Sequence, residues 1–203
     1  MSNQIPTIFV VDDDPSVRMA LERLISSVGF GVQTFDSAQS FLNYAPSIGS
    51  GCLVLDIRMP AMSGLDLQEK LASKKIDIPI VFLTGHGDIT ISVRAMKAGA
   101  VDFLQKPFDD QRLLDAINQA IEKDKKSRLE KEEKRTIQKR LEALTPREYE
   151  VFTLVVSGML NKQIADELGI SEKTVKVHRS RVMEKTRAGS LADLVRMAGK
   201  VKG

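Results

Sequence analysis

Four aspartates, a threonine and a lysine stand where apolar segments of the first half of the chain end. "TIFVVDDD" closes on Asp12, Asp13 and Asp14, "CLVLD" on Asp56, "IVFLT" on Thr84, and "DFLQK" on Lys106. Acidic side chains are seldom buried without a partner, so a core-like run that ends in a carboxylate calls for a cation or a reaction. Converging carboxylates repel one another, and a divalent metal relieves that repulsion. Hard oxygen donors with open positions suit Mg²⁺, which keeps several waters. A carboxylate can also act as a nucleophile and form an aspartyl phosphate. The Thr84 hydroxyl and the Lys106 ammonium would then hold the phosphoryl oxygens, with the metal offsetting their charge. The acidic trio alone is equally what the first turn of a helix selects, since Asp is a favoured N-cap. Only the segment ends taken together point to a site.

The elements that must position these groups are legible as five short apolar runs, at 7–11, 31–35, 52–55, 80–83 and 102–105. Between them Val17, Leu21, Leu24, Ile25 and Val28 recur at three- and four-residue intervals, and Leu65, Leu67 and Leu71 do so more loosely. Strands alternating with helices imply right-handed crossovers and a parallel, doubly wound sheet. Four of the runs read as apolar rather than alternating, as a sheet covered on both faces requires, whereas "GVQTF" alternates and suits an edge. Ligands of such sheets bind beyond the carboxyl ends of the strands, where strand order reverses, and the polar residues above fall at those ends. A last helix of this half begins at Phe108, with Leu113, Leu114, Ile117, Ala120 and Ile121 as its inward face.

Composition separates the two halves. Residues 1–121 carry 10 Lys/Arg against 14 Asp/Glu, residues 122–143 carry 9 against 6, and residues 144–203 carry 11 against 7. An acidic first half and a basic remainder point to cations as ligands of one and polyanions as ligands of the other. Residues 122–143 hold 15 charged residues in 22 with no Pro or Gly, which reads as a solvated helical linker whose apolar residues are too sparse for a coiled coil. The lone Cys52 excludes an internal disulfide and suits a core position, and two histidines with one cysteine, well separated, make no zinc cluster. No apolar run approaches the roughly 18 residues of a membrane span. The start, "MSNQIPTIFVVDDD", lacks a signal-peptide pattern, so a cytoplasmic location without membrane attachment is expected.

Helix signals punctuate the remainder. "TPRE" (145–148) is a capping box with Pro at the first helical position, Asn161 can cap a second helix that Gly169 ends, Ser171 starts a third, and "SLAD" (190–193) is another capping box that opens a fourth. On the third helix, a 100° advance per residue places Val182 and Thr186 within about 20° of Val175. Lys173, Val177, Ser180 and Glu184 gather on the other side, flanked by Lys176 and Arg181. A basic face carrying one exposed valine suits the DNA major groove, with Val177 against a thymine methyl and Lys176 against guanine acceptors. An ordinary amphipathic surface helix has a similar pattern.

"VVDDDPSVR", "LDIRMPAMSG", "LTGHGD" and "GAVDFLQKPF" resemble the receiver domain of two-component response regulators, in order and at family spacing, with 43 residues from Asp13 to Asp56, 28 to Thr84 and 22 to Lys106. The segment "LTPREYEVFTLVVSGMLNKQIADELGISEKTVKVHRSRVMEKT" resembles the four-helix helix-turn-helix output domain of the NarL/LuxR/FixJ class. The resemblance implies a flavodoxin-like, five-stranded receiver at 1–121, a charged helical linker at 122–143 and an all-α DNA-binding domain at 144–203. It implies that Asp56 accepts a phosphoryl group from a histidine kinase. Asp12, Asp13, Asp56 and the main-chain carbonyl of Arg58 would hold Mg²⁺, Thr84 and Lys106 would bind the phosphoryl group, and the Lys106–Pro107 bond would be cis. Phe103 stands at the aromatic switch position, where it would turn inward. Residues 172–187 would be the recognition helix, with Lys176, Val177 and Ser180 facing bases and Thr174, His178 and Arg179 meeting phosphates or supporting the helix. The last helix, 191–199, would form the DNA-bound dimer contact through Leu191, Leu194, Val195 and Ala198.

Together these imply a transcription activator that dimerises on phosphorylation, binds promoter DNA and works with RNA polymerase. Runs such as "MKAGAVDF" and "SLADLVRMA" resemble the regulators of nitrogen-fixation genes in that class. Masking of the DNA-binding helices by the receiver, or monomer–dimer control alone, fits the sequence equally. An enzyme is not expected: an aspartyl-phosphate phosphatase needs an acid–base Asp two residues after its nucleophile, and Arg58 occupies that place. A degenerate, purely interacting receiver would lack Asp56 or Lys106, and both are present. Arg58 and His86 each lie two residues beyond a pocket group, so their bulk is expected to limit water's access to an acyl phosphate. Arg58→Ala and His86→Ala should shorten the lifetime of the phosphorylated protein in a dephosphorylation time course; an unchanged lifetime rejects that role.

Overall fold

The computed structural model describes residues 5–45, 48–85 and 89–202. The apolar runs become strands β1 (Thr7–Val11), β2 (Gly31–Phe35), β3 (Gly51–Asp56), β4 (Ile80–Thr84) and β5 (Asp102–Gln105), parallel throughout and ordered β2-β1-β3-β4-β5. Helices α1 (Pro15–Ser27), α2 (Ala38–Tyr44), α3 (Gly64–Ser73) and α4 (Ile89–Lys97) make the crossovers, and α5 (Asp110–Glu142) follows the last strand. Every residue of β3 and β4 is buried, whereas β2, at the edge, keeps two exposed positions.

Alternation along the strands divides the core into two layers. Phe9, Val11, Leu53, Leu55 and Phe82 point to the face covered by Phe41 of α2, Leu67 and Leu71 of α3 and Ala95 of α4. Ile8, Val10, Cys52, Val54, Val81 and Leu83 point to the other, covered by Leu21 and Ile25 of α1 and Leu113, Ile117 and Ala120 of α5. Each fully buried Leu, Ile or Phe contributes roughly 2 kcal/mol of transfer free energy, so the sheet and its five helices cohere mainly through these layers. Helix α4 is the exception. Its only buried residue is Ala95, and Ile89, Val93 and Met96 are exposed. Buried Gln68 of α3 donates to the carbonyls of Ala95 and Ala98 at 3.4 and 3.2 Å, which holds the C-terminal end of α4.

Two compact units divide the chain, residues 1–127 and 128–203. Helix α5 runs unbroken through the charge-rich stretch, but that stretch is not solvated all round. Within the first unit Asp124 is buried, and its Oδ2 accepts from Ser50 Oγ at 2.8 Å and Gly51 N at 3.1 Å. Gly51 must be glycine for a spatial reason, since a Cβ there would sit 1.8 Å from the Thr7 carbonyl oxygen. Within the second unit Ile137, Leu141 and Leu144 join Val151, Phe152, Ile164, Val175, Val182 and Leu194 in one core. Two of the apolar residues too sparse for a coiled coil, Ile137 and Leu141, are therefore core residues of that unit, whereas Leu129 is exposed.

The rest of the second unit is α6 (Pro146–Val156), α7 (Asn161–Leu168), α8 (Glu172–Thr186) and α9 (Leu191–Lys202). The capping box at Thr145 and Glu148 is fully made, and Gly169 ends α7 in the left-handed conformation, φ 63°. Two caps differ from expectation. Leu160, not Asn161, is the N-cap of α7, because the Asn161 carboxamide is taken by Arg179 Nη1 at 3.0 Å. At 190–193 only half the box forms: Ser190 Oγ accepts from Asp193 N, whereas the Asp193 carboxylate accepts from Gly189 N.

Asp124→Ala leaves the Gly51 N–H without its carboxylate in a buried setting. It should lower the unfolding free energy of the first unit by about 2 kcal/mol, read from urea denaturation.

Candidate functional site

The winding of the sheet reverses between β1 and β3, because β2 lies on one side of β1 and all later strands lie on the other. Val11 is in register with Leu55, so the next residues, Asp12 and Asp56, meet at the crevice that such a reversal opens. Both are buried, at 2% and 7% exposure. Lys106, one residue past β5, reaches across β4 to join them, its Nζ donating to Asp12 Oδ2 and Asp56 Oδ1 at 2.7 Å each. Its backbone is set by a bond from Lys106 N to the Thr84 carbonyl at 2.6 Å and by a cis bond to Pro107, as the resemblance implies. Thr84 is itself buried at the end of β4. Four of the expected pocket residues are thus brought to one end of the sheet.

The other carboxylate oxygens are held by backbone. Asp56 Oδ2 accepts from Arg58 N at 2.7 Å, and Asp12 Oδ1 from Asp14 N at 2.9 Å. Gly64 lies against this turn, where a Cβ would approach the Asp56 carbonyl oxygen to 2.4 Å. The acidic trio divides its work: Asp12 enters the pocket, Asp14 caps α1 by accepting from Ser16 N at 2.7 Å, and Asp13 is exposed at the rim. The Arg58 side chain is exposed, and His86 lies outside the described residues. Phe103 is half-buried and lines a groove of about 480 Å³ with Ile89, Ser92, Phe108 and Arg112.

Burial raises the Asp56 carboxyl above the ordinary carboxylate range, against the opposing pull of Lys106. For Lys106 burial acts to lower its pKa, but the hydrogen bonds and charges of Asp12 and Asp56 outweigh it and the net shift is upward. The ammonium therefore stays charged beside a carboxylate of enhanced basicity. Among the described residues no three His, Cys, Asp or Glu side chains form a metal cage. The donors nonetheless fit a hard cation: Asp12 and Asp56 offer carboxylate oxygens at a point where the seated ammonium shows that positive charge is favoured.

In the second unit α7, a tight turn and α8 follow one another. Val175, Val182 and Thr186 are buried, as the 100° projection expects, and Lys173, Lys176, Val177, Ser180 and Arg181 are exposed. The other three candidates have local partners or packing. Thr174 N bonds the cap Ser171 at 3.1 Å, Arg179 braces α8 to Asn161, and His178 is partly covered, its buried Nδ1 without a hydrogen-bond partner among the described residues. Lys185 Nζ donates to the buried Glu148 at 2.6 Å, and chiefly through that bond the Glu148 carboxyl is pulled down to about 2. This pair fixes α8 to α6. On α9 Leu194 and Ala198 turn inward while Leu191 and Val195 stay exposed.

Sequence reading overlooked Arg18, whose Nη1 donates to the Asp12 main-chain oxygen at 2.7 Å, because a single arginine on a helix carries no spacing signal.

Asp56 should titrate above the ordinary range when followed by carboxyl-carbon NMR. Lys106→Met should move that titration still higher, since it removes the group that favours the ionised form; a shift downward or none would contradict the pairing.

Comparison with known proteins agrees with both halves of this geometry. Residues 8–118 match the response regulator receiver domain, and residues 142–198 match the bacterial regulatory proteins of the luxR family. The chain is 52% identical to nodulation protein W of Bradyrhizobium diazoefficiens over 191 residues, covering 94% of this chain and 84% of that one. It is 46% identical to the transcriptional regulatory protein FixJ of Rhizobium meliloti over 192 residues, covering 95% and 94%. The structure of the response regulator StyR superposes with a TM-score of 0.86 at 52% identity, covering 97% of this chain and all of that one. With both domain matches and relatives aligned along nearly their whole length, the chain belongs to the response regulators of the NarL/LuxR/FixJ class, transcriptional regulators that join a receiver to a LuxR-type DNA-binding domain.

Proposed function

We propose that Asp56 is the phosphoacceptor and that its phosphorylation by a sensor histidine kinase switches promoter binding. The observation that carries this is the pair of 2.7 Å bonds from Lys106 to Asp12 and Asp56 at the reversal of the sheet. An Asp56 carboxylate oxygen attacks the phosphorus of the kinase phosphohistidine, the P–N bond breaks, and the imidazole nitrogen leaves with the bonding pair. Asp12, Asp13, Asp56 and the main-chain carbonyl of Arg58 would hold Mg²⁺, which would supply charge neutralisation for the phosphoryl oxygens. Lys106 releases the Asp56 oxygen that reacts and pairs with the transferred group, and the Thr84 hydroxyl turns to donate to it. As Thr84 moves inward, Phe103 vacates the groove it lines with Ile89, Ser92 and Arg112 and packs into the sheet.

That change alters the surface of α4 and β5, where few core contacts resist movement, and favours a homodimer. Two copies present two α8 helices to neighbouring half-sites. Lys176, Val177 and Ser180 read bases there, with Lys173 and Arg181 on the backbone and Thr174, His178 and Arg179 supporting. Leu191 and Val195, exposed on α9, supply the contact between DNA-bound copies. The domains act as receiver 1–121, linker 122–143 and output 144–203. RNA polymerase is the partner at the promoter. The protein works in the cytoplasm, in keeping with the lack, among the described residues, of any helix long and apolar enough to cross a membrane. Resemblance to nitrogen-fixation regulators, with a nodulation protein among the relatives, supports promoters of nitrogen-fixation-related genes as targets.

Acetyl phosphate with Mg²⁺ should convert the wild type to a dimer in sedimentation and tighten its footprint by about 10²-fold, the gain expected when a second half-site is engaged. Asp56→Asn should do neither; a variant that still responds, or a wild type that does not, overturns the switch.

A further inference from the structure

We propose that Arg18 is a positioning residue for cation binding, acting through the peptide that joins Asp12 to Asp13. The inference rests on the reading of Asp12, Asp13 and Asp56 as the groups that hold Mg²⁺. Arg18 lies on the first turn of α1, half-buried, and its guanidinium reaches back to the Asp12 main-chain oxygen at 2.7 Å. Asp12 itself is already fixed by other bonds: its N–H donates to the Phe35 carbonyl at 3.3 Å, Oδ1 accepts from Asp14 N, and Oδ2 accepts from Lys106. The Arg18 bond does something these do not. It sets the tilt of the following peptide plane, and that tilt directs Asp13, whose side chain is exposed at the rim. A carboxylate in that position is otherwise free to sample directions away from the crevice.

The guanidinium is placed between two loops. Asp36, the first residue past β2, lies within electrostatic reach of Arg18, and its own carboxylate accepts from the Ser37 and Ser40 hydroxyls at 3.0 and 2.9 Å. Its longer-range attraction adds to the hydrogen bond that holds Arg18 over the end of β1. Arginine suits the task because it stays charged and offers several donors in a rigid fork. Residues that orient metal ligands from behind typically change metal affinity by 10- to 100-fold when removed.

The test is a Mg²⁺ titration of the full chain, followed through the amide shifts of Asp13 and Asp56, on wild type, Arg18→Ala and Arg18→Lys. Arg18→Ala should raise the Mg²⁺ dissociation constant about tenfold, and Arg18→Lys, with one donor group on its stem, should recover part of the loss. With acetyl phosphate as donor, the half-saturating Mg²⁺ concentration should rise by the same factor in Arg18→Ala while the rate at saturating Mg²⁺ is kept. A purely structural role would lower the maximal rate or the melting temperature and leave the half-saturation point in place, and that result overturns the proposal. If Arg18→Ala does not fold, Arg18→Met, which keeps bulk along the stem and has no donor, gives the same reading. A wild type that takes up no Mg²⁺ overturns the pocket reading itself, whereas normal uptake with an unchanged Arg18→Ala overturns only the role of Arg18.

Discussion

Two buried carboxylates at one point of a sheet repel each other unless a cation joins them, and in this protein the winding of the chain forces the meeting. Because β1 starts the sheet in its interior and the chain winds first to one side and then to the other, the residues after β1 and at the end of β3 share a crevice. Lys106 satisfies the constraint from two strands away. The length of β5, the turn at Pro107 and the bond from Lys106 N to Thr84 O all serve to deliver that ammonium. The aliphatic layers above and below then do two tasks. They hold the strands, and they keep water from screening the charges whose competition makes the site responsive.

The output unit follows a different logic. Its recognition face carries no buried charge competition; it is held stiff from behind. Lys185 on Glu148 and Arg179 on Asn161 fasten α8 to α6 and α7 by charged hydrogen bonds, and Val175, Val182 and Thr186 fill the core beneath. A helix fastened in this way meets its target with little further ordering, so less of the contact energy is lost on binding.

Much of this was legible in the sequence, for physical reasons that differ by element. Strands β1, β3 and β4 announce themselves because burial on both faces leaves an unbroken apolar run, and the pocket residues announce themselves because each ends such a run. Helices α2 and α4 gave no comparable signal: α2 is only seven residues, and α4 buries Ala95 alone. Asp124 was hidden in a charge-rich stretch where one more acid carries no information, although it is among the few acids with 2% exposure. Asn161 was misread as a cap because Asn suits caps everywhere, whereas its partner, Arg179, is 18 residues away. Pairings over such distances depend on the fold and leave no local pattern. The three acids at 12–14 show the same limit: composition identified the cluster, but only the geometry divided it into a pocket residue, a rim residue and a cap.

The Asp124 contact bears on how such proteins can be rearranged by recombination. The receiver match ends at residue 118, and α5 looks like interchangeable helix beyond it. Yet the residue that closes the opening of β3 lies six positions further on, reached only if the helix keeps its phase and carries a carboxylate there. A crossover that joined a foreign output segment at the end of the match would have to preserve both. The transferable unit is therefore a receiver with its own first turns of connecting helix, and the freedom to exchange partners begins after that foothold.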